Sequence, residues 1–470
     1  MRRWGCTRGL TVAVAMAIAG LGIAACEDDD PEVSIGTGVD GGPPISPEAK
    51  VTIAFLQHGN PSYDVANGAA FRAYEKAHTN VTITTTTIEY ASLTATLLTD
   101  LKNDRLTADL VQIPGNWVCS FDANVVPVPP EVVTLDAAKG LFFDAPLAGA
   151  TCKGALKGVP IEYNLEYGGV VVNVDKYQAK FPGKTPSWVD WKAFIAEAAQ
   201  LAEFDTDGTP RANGLDIDPS WPGPAVYIFL AAILQRNGHY WSAAGDNFDL
   251  DTPEAHAALA DIVSWVVNDK VMSMSLIPNN PDAFVGTRLA QGATGYGWND
   301  PGRPLSVMGY LGSWGLAVVK HLLPADRQQV NYGYYALPPM VGTQHRFITY
   351  GGWVFAVPKT SKNQAVAWDI VKSLALDPAA MKQWSATVGS LPALRVNGTA
   401  EAAATDPLLA KVQPLLENGD FIGYMPAGAI QDMEGAILSN IFDVVRGNKA
   451  VDKALADIQQ TTNEAFARYR

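Results

Sequence analysis

Five side chains that suit chemistry on a sugar stand in one short run: Glu162, Tyr163, Asn164, Glu166 and Tyr167. Two carboxylates can serve a glycosidase as the acid and the second carboxylate that flank the scissile bond. The same groups can instead bind a sugar, because polar atoms pair with its hydroxyls and rings cover its apolar face. Sequence spacing in a loop does not fix the distance between two carboxyl groups, so both interpretations, and that of an ordinary loop, are open at this point.

The surroundings of this run favour a ligand site where the chain crosses between two lobes. Gly158-Val-Pro leads into the run, and the apolar, β-branched stretch Val170 to Val174 predicts a buried strand after it. Gly168-Gly169 separates the polar run from the strand, and glycine tolerates a change of backbone dihedral angles at low cost.

Motifs of known enzyme classes are absent from the sequence. It contains no Gly-x-Ser-x-Gly elbow, phosphate loop, His-Glu-x-x-His pair or dinucleotide-binding glycine fingerprint. The six histidines are scattered without the spacing of metal ligands. We therefore expect no catalytic residue, metal or cofactor, and the binding interpretation gains over the enzymatic one.

Tryptophan gives a more informative signal. Five tryptophans have glycine, proline or polar neighbours, and these are Trp117, Trp221, Trp298, Trp314 and Trp353. Others, such as Trp265, Trp368 and Trp384, fall within helical patterns and are predicted core residues. A ring in a loop presents a flat apolar face to a sugar, so the first group favours carbohydrate binding.

The first residues have the composition of an export signal. Arg2, Arg3 and Arg8 precede an uncharged apolar stretch over residues 10–25, and small residues then lead to Cys26. This ending resembles a bacterial lipoprotein cleavage site, which makes Cys26 the predicted lipid-bearing residue; a plain secretory signal and a short membrane anchor are the alternatives. Residues 27–47 are acidic and rich in Gly and Pro, a composition typical of a solvated tether.

Charge and cysteine usage narrow the function further. The net charge is −14, and loss of three arginines with the signal makes the mature chain more negative, which argues against a nucleic-acid partner. Beyond Cys6 and Cys26 the chain contains Cys119 and Cys152. In an exported protein these two favour a disulfide, with two free thiols as the alternative.

Strand and helix patterns alternate along the folded part, which predicts an α/β fold. Strands are predicted at 51–56, 81–88 and 108–113, with helices at 65–77 and 93–103 between them. Ser187 is the predicted cap of a helix that follows, with Asp190 at the capping-box position. Residues 225–237, 253–268, 363–376, 379–386 and 451–468 read as further helices. The length is too great for one typical core, so two lobes are expected.

With these segments in order, the chain resembles the carbohydrate-type extracellular solute-binding proteins of ABC importers, the family that includes maltose-binding protein. The resemblance covers nearly all of residues 50–470. Its motifs are Lys153-Gly-Ala-Leu-Lys-Gly-Val-Pro, Thr185-Pro-Ser-Trp-Val-Asp-Trp, Tyr335-Ala-Leu-Pro-Pro, Gly351-Gly-Trp-Val-Phe-Ala-Val-Pro and Gly389-Ser-Leu-Pro-Ala. No single motif is decisive, but their order is specific.

The resemblance implies a type II periplasmic-binding-protein-like fold, in which each lobe is a mainly parallel sheet flanked by helices and a hinge of crossing strands joins the lobes. It also implies a monomer in the periplasm or on the outer face of the cytoplasmic membrane, which captures a sugar and delivers it to ABC permease subunits. The same fold binding a polyol, peptide or polyamine is the alternative. The expected division is signal 1–25, tether 26–48, first lobe 49–164 and 351–410, second lobe 165–300 and 411–470, and crossover region 301–350.

The resemblance also suggests which residues contact the ligand. They follow strands of the first lobe, lie in the two crossovers, or lie on loops of the second lobe. The expected set is Gln57, His58, Asn116, Trp117, Tyr163, Glu166, Trp221, Trp298, Asp300, Trp353 and Asp432. Asp432 is expected in a late loop over residues 425–434, and Glu166 is expected to accept hydrogen bonds from ligand hydroxyls at the hinge.

Overall fold

The computed structural model describes residues 49–166, 168–206, 210–216, 223–243, 247–271, 305–310, 312–314, 331–341, 346–404, 406, 409–421, 423 and 427–469. Its strands are β1 (Val51–His58), β2 (Val81–Ile88), β3 (Leu110–Pro114), β4 (Thr151–Cys152), β5 (Ala155–Leu156), β6 (Val159–Pro160), β7 (Gly169–Asn173), β8 (Glu203–Phe204), β9 (Pro210–Asp216), β10 (Leu305–Gly309), β11 (Tyr332–Ala336), β12 (Phe347–Thr349), β13 (Trp353–Ala356) and β14 (Gly419–Phe421).

Its α-helices are α1 (Pro61–Ala77), α2 (Tyr90–Thr96), α3 (Leu135–Leu141), α4 (Asp144–Ala150), α5 (Val174–Lys180), α6 (Trp191–Leu201), α7 (Gly223–Leu234), α8 (Pro253–Val267), α9 (Gln364–Ala375), α10 (Pro378–Val388), α11 (Ala400–Ala403), α12 (Leu409–Val412), α13 (Ile430–Val445) and α14 (Val451–Tyr469). A 3₁₀ helix, Gly115–Phe121, follows β3 directly. Within the described part of the chain, each helix is too short or too polar to cross a membrane.

The first sheet has the strand order β2-β1-β3-β13-β6. Strands β1 and β2 are parallel and α1 connects them, as the alternating pattern predicts. Asn60 caps α1 by accepting a hydrogen bond from the Ser62 amide at 2.9 Å, and Pro61 occupies the first turn, where its missing N–H costs nothing. Helices α9 and α10 pack against α1. These elements form the first lobe.

The second sheet has the order β11-β7-β10-β9-β8. Its strand β7 contains the predicted buried run, and Val170, Val171 and Val172 are inaccessible to solvent. Helix α6 packs against β9, and α7, α8, α13 and α14 pack against one another. These elements form the second lobe. Two strands of the predicted crossover region 301–350, β10 and β11, lie in this sheet.

The second sheet is not mainly parallel, contrary to the sequence-based expectation. Strand β7 is antiparallel to both β10 and β11, and β8 is antiparallel to β9, so β10 with β9 is the parallel pair. In the first sheet β13 is likewise antiparallel to β3 and β6. Parallel neighbours require a crossover connection such as β1-α1-β2. Strand β7 enters its sheet from the other lobe, so no such connection fixes its direction.

Two antiparallel segments carry the chain between the sheets. The first leads from β6 to β7 and is described over residues 161–166 and 168, and the second leads from β11 to β13 and is described over residues 337–341 and 346–352. Their backbones are joined by hydrogen bonds from Ile161 N to Trp353 O at 3.0 Å and from Glu166 N to Ile348 O at 2.9 Å. The short pair β12 and β14 adds a later segment beside them. The hinge is therefore a paired ribbon rather than two free linkers.

Glycines at the crossovers are required by close backbone approach. The sequence suggested that Gly168 and Gly169 are present because they tolerate unusual backbone dihedral angles. Neither residue has a positive φ. A Cβ on Gly169 would lie 2.5 Å from the Tyr335 carbonyl oxygen. Gly352 has both constraints, because its φ is +74° and a Cβ would lie 2.4 Å from the Glu162 carbonyl oxygen.

Two local predictions have clear outcomes. Cys119 and Cys152 form a disulfide, with a Cα–Cα distance of 5.4 Å, which ties the 3₁₀ helix to β4. The predicted cap Ser187 is wrong: α6 begins at Trp191, and Asp190 is its N-cap, accepting from the Ala193 amide at 2.7 Å. The shorter Asp side chain suits the cap position itself rather than the third position of a capping box.

Candidate ligand-binding site between the lobes

A small cavity lies where the two lobes meet the second crossover. Its lining comes from the first lobe, from the second lobe and from the crossover, and consists of Pro114, Asn116, Trp353, Tyr227, Ile430 and Tyr350. Its volume is about 10 Å³, which is room for about one water molecule. Entry of a sugar at this point requires the lobes to separate, as they do in hinge motions.

Trp353 forms the aromatic wall of the cavity, and other rings fix its position. It is the first residue of β13 and is 3% exposed. The His58 imidazole stacks on its ring at 4.9 Å with an interplanar angle of 4°. Tyr63 meets it edge-on at 6.2 Å and stacks in turn on Trp384 at 5.7 Å. These contacts hold the Trp353 indole in one orientation, which preorganises it as a wall of the cavity.

His58 stands at the end of β1, next to this wall. Burial lowers the pKa of its imidazole to about 4. The ring is therefore neutral at physiological pH and adds an apolar face rather than a positive charge.

Glu162 lies behind the cavity wall and is fully buried. Its Oε1 accepts hydrogen bonds from Tyr63 Oη at 2.8 Å and from Asn164 Nδ2 at 2.9 Å. Asn164 Nδ2 also donates to the Tyr350 hydroxyl at 2.9 Å, which links this carboxylate to a residue that lines the cavity. Burial raises the pKa of the Glu162 carboxyl to about 7, although the Tyr63, Asn164 and Ser390 groups favour its ionised form.

Glu166, four residues on, is also fully buried, and its side chain contacts Trp314 and Tyr350. The Trp314 indole N–H, beyond the end of β10, lies 2.9 and 3.0 Å from its two carboxylate oxygens. Burial raises the pKa of the Glu166 carboxyl to about 8, the Trp314 N–H opposes that shift, and the charge of Glu162 adds to it. The first crossover thus holds two acids whose charges repel each other in a buried setting.

A third buried acid, Glu434, lies on the second-lobe side. It is 5% exposed on α13, four residues after Ile430, so both side chains share one helix face. Burial raises the pKa of its carboxyl to about 8. Among the described residues no group of three or more His, Cys, Asp or Glu side chains is arranged to hold a metal ion.

The structure brings part of the predicted set to this region. Asn116, 2% exposed at the start of the 3₁₀ helix, and Trp353 line the cavity. His58 supports Trp353, and Glu166 lies in the first crossover. Trp221, Trp298 and Asp300 lie outside the described residues. The ligand-binding role of all these residues stays a prediction.

The side chains of three other predicted residues are buried and contact residues within the first lobe or the hydrophobic core rather than the cavity. Gln57 accepts from Asn67 at 2.7 Å and donates to Thr87 at 3.1 Å and to Asp64. Trp117 is inaccessible in the core. Tyr163 is buried in a small hydrophobic cluster and donates its hydroxyl to the Leu416 carbonyl at 2.9 Å.

Asp432 lies in an ordered helix rather than in the expected loop, because α13 already begins at Ile430. It is exposed and pairs with Arg468 of α14 at 2.6 Å. Two helical residues correspond to a rotation of about 200°, so Asp432 faces outward while Glu434 faces inward. The late segment supplies a buried acid to this region, but at a different position from the predicted one.

Sequence reasoning missed cavity residues that sit in regular elements. Tyr227 lies within the apolar helix α7 and Ile430 at the start of α13, where they have the appearance of core residues. Tyr350 precedes Gly351-Gly352, and that position in the second crossover was the available signal. Trp314 was recognised as a loop tryptophan, but its contact with Glu166 depends on tertiary structure.

Solved structures share this architecture. Maltose-bound MalE3 of T. maritima is 14% identical with a TM-score of 0.69, over 88% of this chain and 99% of that chain. An ABC transporter solute-binding protein from Thermotoga lettingae bound with alpha-D-tagatose is 15% identical with a TM-score of 0.71, over 89% and 100%. One from Agrobacterium radiobacter K84 in complex with ribitol is 17% identical with a TM-score of 0.66, over 89% and 100%. These likenesses establish the two-lobed α/β fold.

The comparison with protein-family models identifies the class of protein as well as the fold. A search of curated proteins finds no match to the sequence. The family model described as bacterial extracellular solute-binding protein matches residues 69–411, which is most of the chain. That family consists of binding proteins rather than enzymes, in agreement with the absence of enzyme motifs. The chain belongs to the bacterial extracellular solute-binding proteins.

Proposed function

We propose that this protein captures a sugar or oligosaccharide between its two lobes and delivers it to an ABC importer. The observation that carries the proposal is the cavity in which Trp353 and Asn116 of the first lobe face Tyr227 of the second. An aromatic face beside an amide is the pairing that sugars require, and residues from both lobes let the ligand hold the lobes together. The maltose and tagatose of the similar structures support a carbohydrate ligand.

The first test is a fluorescence titration of the purified protein against a panel of mono- and oligosaccharides. Trp353 lines the cavity and Trp314 contacts the hinge acid Glu166, so ligand entry and closure change the surroundings of both indoles. We expect a saturable change with at least one sugar, at micromolar or tighter affinity, which requires about 8 kcal/mol. No fluorescence change with any sugar, together with a saturable change with peptides or polyamines, would reject the carbohydrate ligand.

A polyol is the second candidate ligand. The ribitol complex of the A. radiobacter protein favours it, because a polyol offers the same hydroxyl groups without a ring. Including ribitol and other polyols in the same panel separates the two candidates, because a polyol lacks the apolar ring face on which Trp353 would stack.

We further propose that the protein is a monomer held at the cell envelope by a lipid on Cys26, with residues 26–48 as its tether. The apolar stretch before Cys26 and the acidic Gly/Pro-rich run after it support this proposal. Replacing Cys26 with serine should abolish lipid attachment and release the protein from the membrane fraction. Unchanged processing and unchanged membrane association of Cys26→Ser would contradict the anchor.

The proposal also includes delivery of the sugar to the permease subunits of the importer and the boundaries of the two lobes. We propose that the first lobe comprises 49–164 and 351–410 and the second 165–300 and 411–470, with the crossover region 301–350 contributing β10 and β11 to the second sheet before it returns to the first lobe. Deletion of the gene should abolish uptake of the bound sugar, and a plasmid copy should restore it. Retained uptake in the deletion strain would reject the role in import.

A further inference from the structure

Two buried acids of the first crossover and one on the cavity-lining helix α13 have no positive partner among the residues that the structure describes. Glu162 and Glu166 are inaccessible and Glu434 is 5% exposed. In the described part of the chain, the hydrogen bonds to the Glu162 and Glu166 carboxyl groups come from neutral donors such as Tyr63 and Trp314, and the Glu434 side chain has no hydrogen bond or ion pair. Burying a carboxylate without a cation is costly unless the group takes up a proton.

Nearby titratable groups do not supply the missing positive charge. The His58 imidazole is neutral because burial lowers its pKa to about 4. Burial raises the pKa of the Tyr63, Tyr310 and Tyr334 hydroxyls, which keeps these groups neutral. Over the described ranges, the surroundings of the acids are therefore neutral donors and aromatic rings.

The unpaired polar atoms at the Glu162 end are two acceptor oxygens and the Ser390 hydroxyl. Glu162 Oε2 and Asn164 Oδ1 are buried and have no hydrogen-bond partner. The amide nitrogen of Asn164 is already engaged with Glu162 and Tyr350. The Ser390 hydroxyl lies near Glu162 without reaching hydrogen-bonding geometry. An ammonium group offers three donors and no acceptor, which complements this pair of oxygens better than a hydroxyl does.

The cavity wall suits the same group. Trp353, Tyr350 and Tyr227 present aromatic rings to the cavity, and the electron-rich face of such a ring attracts a cation. Tyr350 connects this wall to Asn164 and Glu162 through the hydrogen bond at 2.9 Å. The Glu162–Asn164 pair thus lies directly behind Tyr350, one of the rings that line the interlobe cavity.

We propose that the ligand is a sugar or polyol that carries a protonated amine, and that its ammonium group is held at the Glu162–Asn164 end of the interlobe cavity. This inference rests on the proposed capture of a sugar between the lobes. The cation lowers the carboxyl pKa values that burial has raised to about 7 for Glu162 and about 8 for Glu166. Binding near neutral pH therefore releases protons, and affinity rises with pH between about 5 and about 7, below the range in which the amine itself loses its proton.

The test compares matched pairs of ligands by titration calorimetry with the whole mature protein. D-glucosamine, D-galactosamine and D-mannosamine are each measured beside the neutral sugar that has a hydroxyl in place of the amine. We expect at least one amino sugar to bind about tenfold more tightly than its neutral counterpart, which corresponds to about 1.4 kcal/mol. Its titration in two buffers of different ionisation enthalpy should show proton release.

Isosteric variants locate the effect. Glu162→Gln keeps the shape and removes the charge, so it should abolish the preference for the amine, and Glu166→Gln, at the neighbouring acid of the same crossover, provides a second variant if the first is poorly folded. Glu401→Gln, at an exposed glutamate, is the control and should keep the preference. Equal or tighter binding of the neutral sugars, or an unchanged preference in both variants, would overturn the ammonium inference and leave sugar capture intact. No binding of any sugar would reject the proposed function and this inference with it.

Discussion

Trp314 of the second lobe donates its indole N–H to Glu166 in the first crossover, at 2.9 and 3.0 Å from the two carboxylate oxygens. Four residues earlier, Glu162 accepts from Tyr63 of the first lobe at 2.8 Å. Two neighbouring acids of the first crossover are therefore held from two sides, by α1 of the first lobe and by the segment that follows β10 of the second sheet. Any motion that separates the lobes must change the surroundings of at least one of these carboxyl groups, which couples hinge motion to their protonation.

The first prediction concerns pH and stability. The pKa of Glu166 is about 8 in the folded chain and 4.5 is its ordinary value, so folding favours the protonated form. Its contribution to stability is complete below the ordinary value and is lost as the pH rises through about 8. We expect Glu166→Gln to flatten the fall in the free energy of unfolding between about pH 5 and about pH 8.5 by on the order of 2–4 kcal/mol.

Urea unfolding at a series of pH values measures this effect. Glu401→Gln, an exposed glutamate, should retain the pH dependence of the unmodified protein. If Glu166→Gln had the same pH profile as that control, Glu166 would have to be ionised in the folded protein, contrary to its burial.

The second prediction concerns the glycines of the second crossover. Gly352→Ala introduces a Cβ at positive φ that would lie 2.4 Å from the Glu162 carbonyl oxygen. Gly154→Ala is a matched control, because its φ is +79° but nothing lies within 4 Å of the added atom. We expect Gly154→Ala to cost about 1 kcal/mol and Gly352→Ala at least about 2 kcal/mol more. Equal losses in a denaturant titration would mean that the two crossovers do not approach this closely.

The third prediction concerns the disulfide between Cys119 and Cys152, which are 33 residues apart. Removing the bridge by changing both residues to alanine should lower the free energy of unfolding by about 3–4 kcal/mol, since the unfolded chain regains the entropy of an open loop. Reducing agent should destabilise the unmodified protein to a similar extent and leave the double variant unchanged. Detection of two free thiols at these positions in the purified mature protein would contradict the bridge.

Sequence patterns predicted the first lobe better than the second. Strands and helices alternate from β1 to β3, and a helix between two neighbouring strands requires the strands to be parallel. The local hydrophobic periodicity of the sequence is enough to predict this arrangement. The direction of β7 depends on its arrival from the other lobe, and no local pattern contains that information. The two-lobed α/β architecture could be inferred from the order of motifs, whereas the mixed pairing of the second sheet could not.

The site shows the same division. Trp353 and Asn116 could be predicted. Asn116 follows the buried strand β3 and Trp353 begins the neighbouring strand β13, so both residues lie at the same edge of the first sheet. Glu434 could not, since a loop was expected where α13 has already begun, and helical phase decides which acid turns inward. Gln57 also lies at the end of a buried strand, as Asn116 does. Its amide group is hydrogen-bonded to Asn67, Thr87 and Asp64, and these contacts depend on tertiary structure.

The most direct test of capture between the lobes is calorimetric titration of Trp353→Leu with the sugar that gives the largest fluorescence response. Leucine fills much of the buried site but removes the stacking face, so we expect an affinity loss of at least about tenfold, or about 1.4 kcal/mol. Val189→Ala, at a residue 88% exposed, is the control and should bind as the unmodified protein does. Undiminished affinity in a folded Trp353→Leu protein would contradict binding at the interlobe cavity.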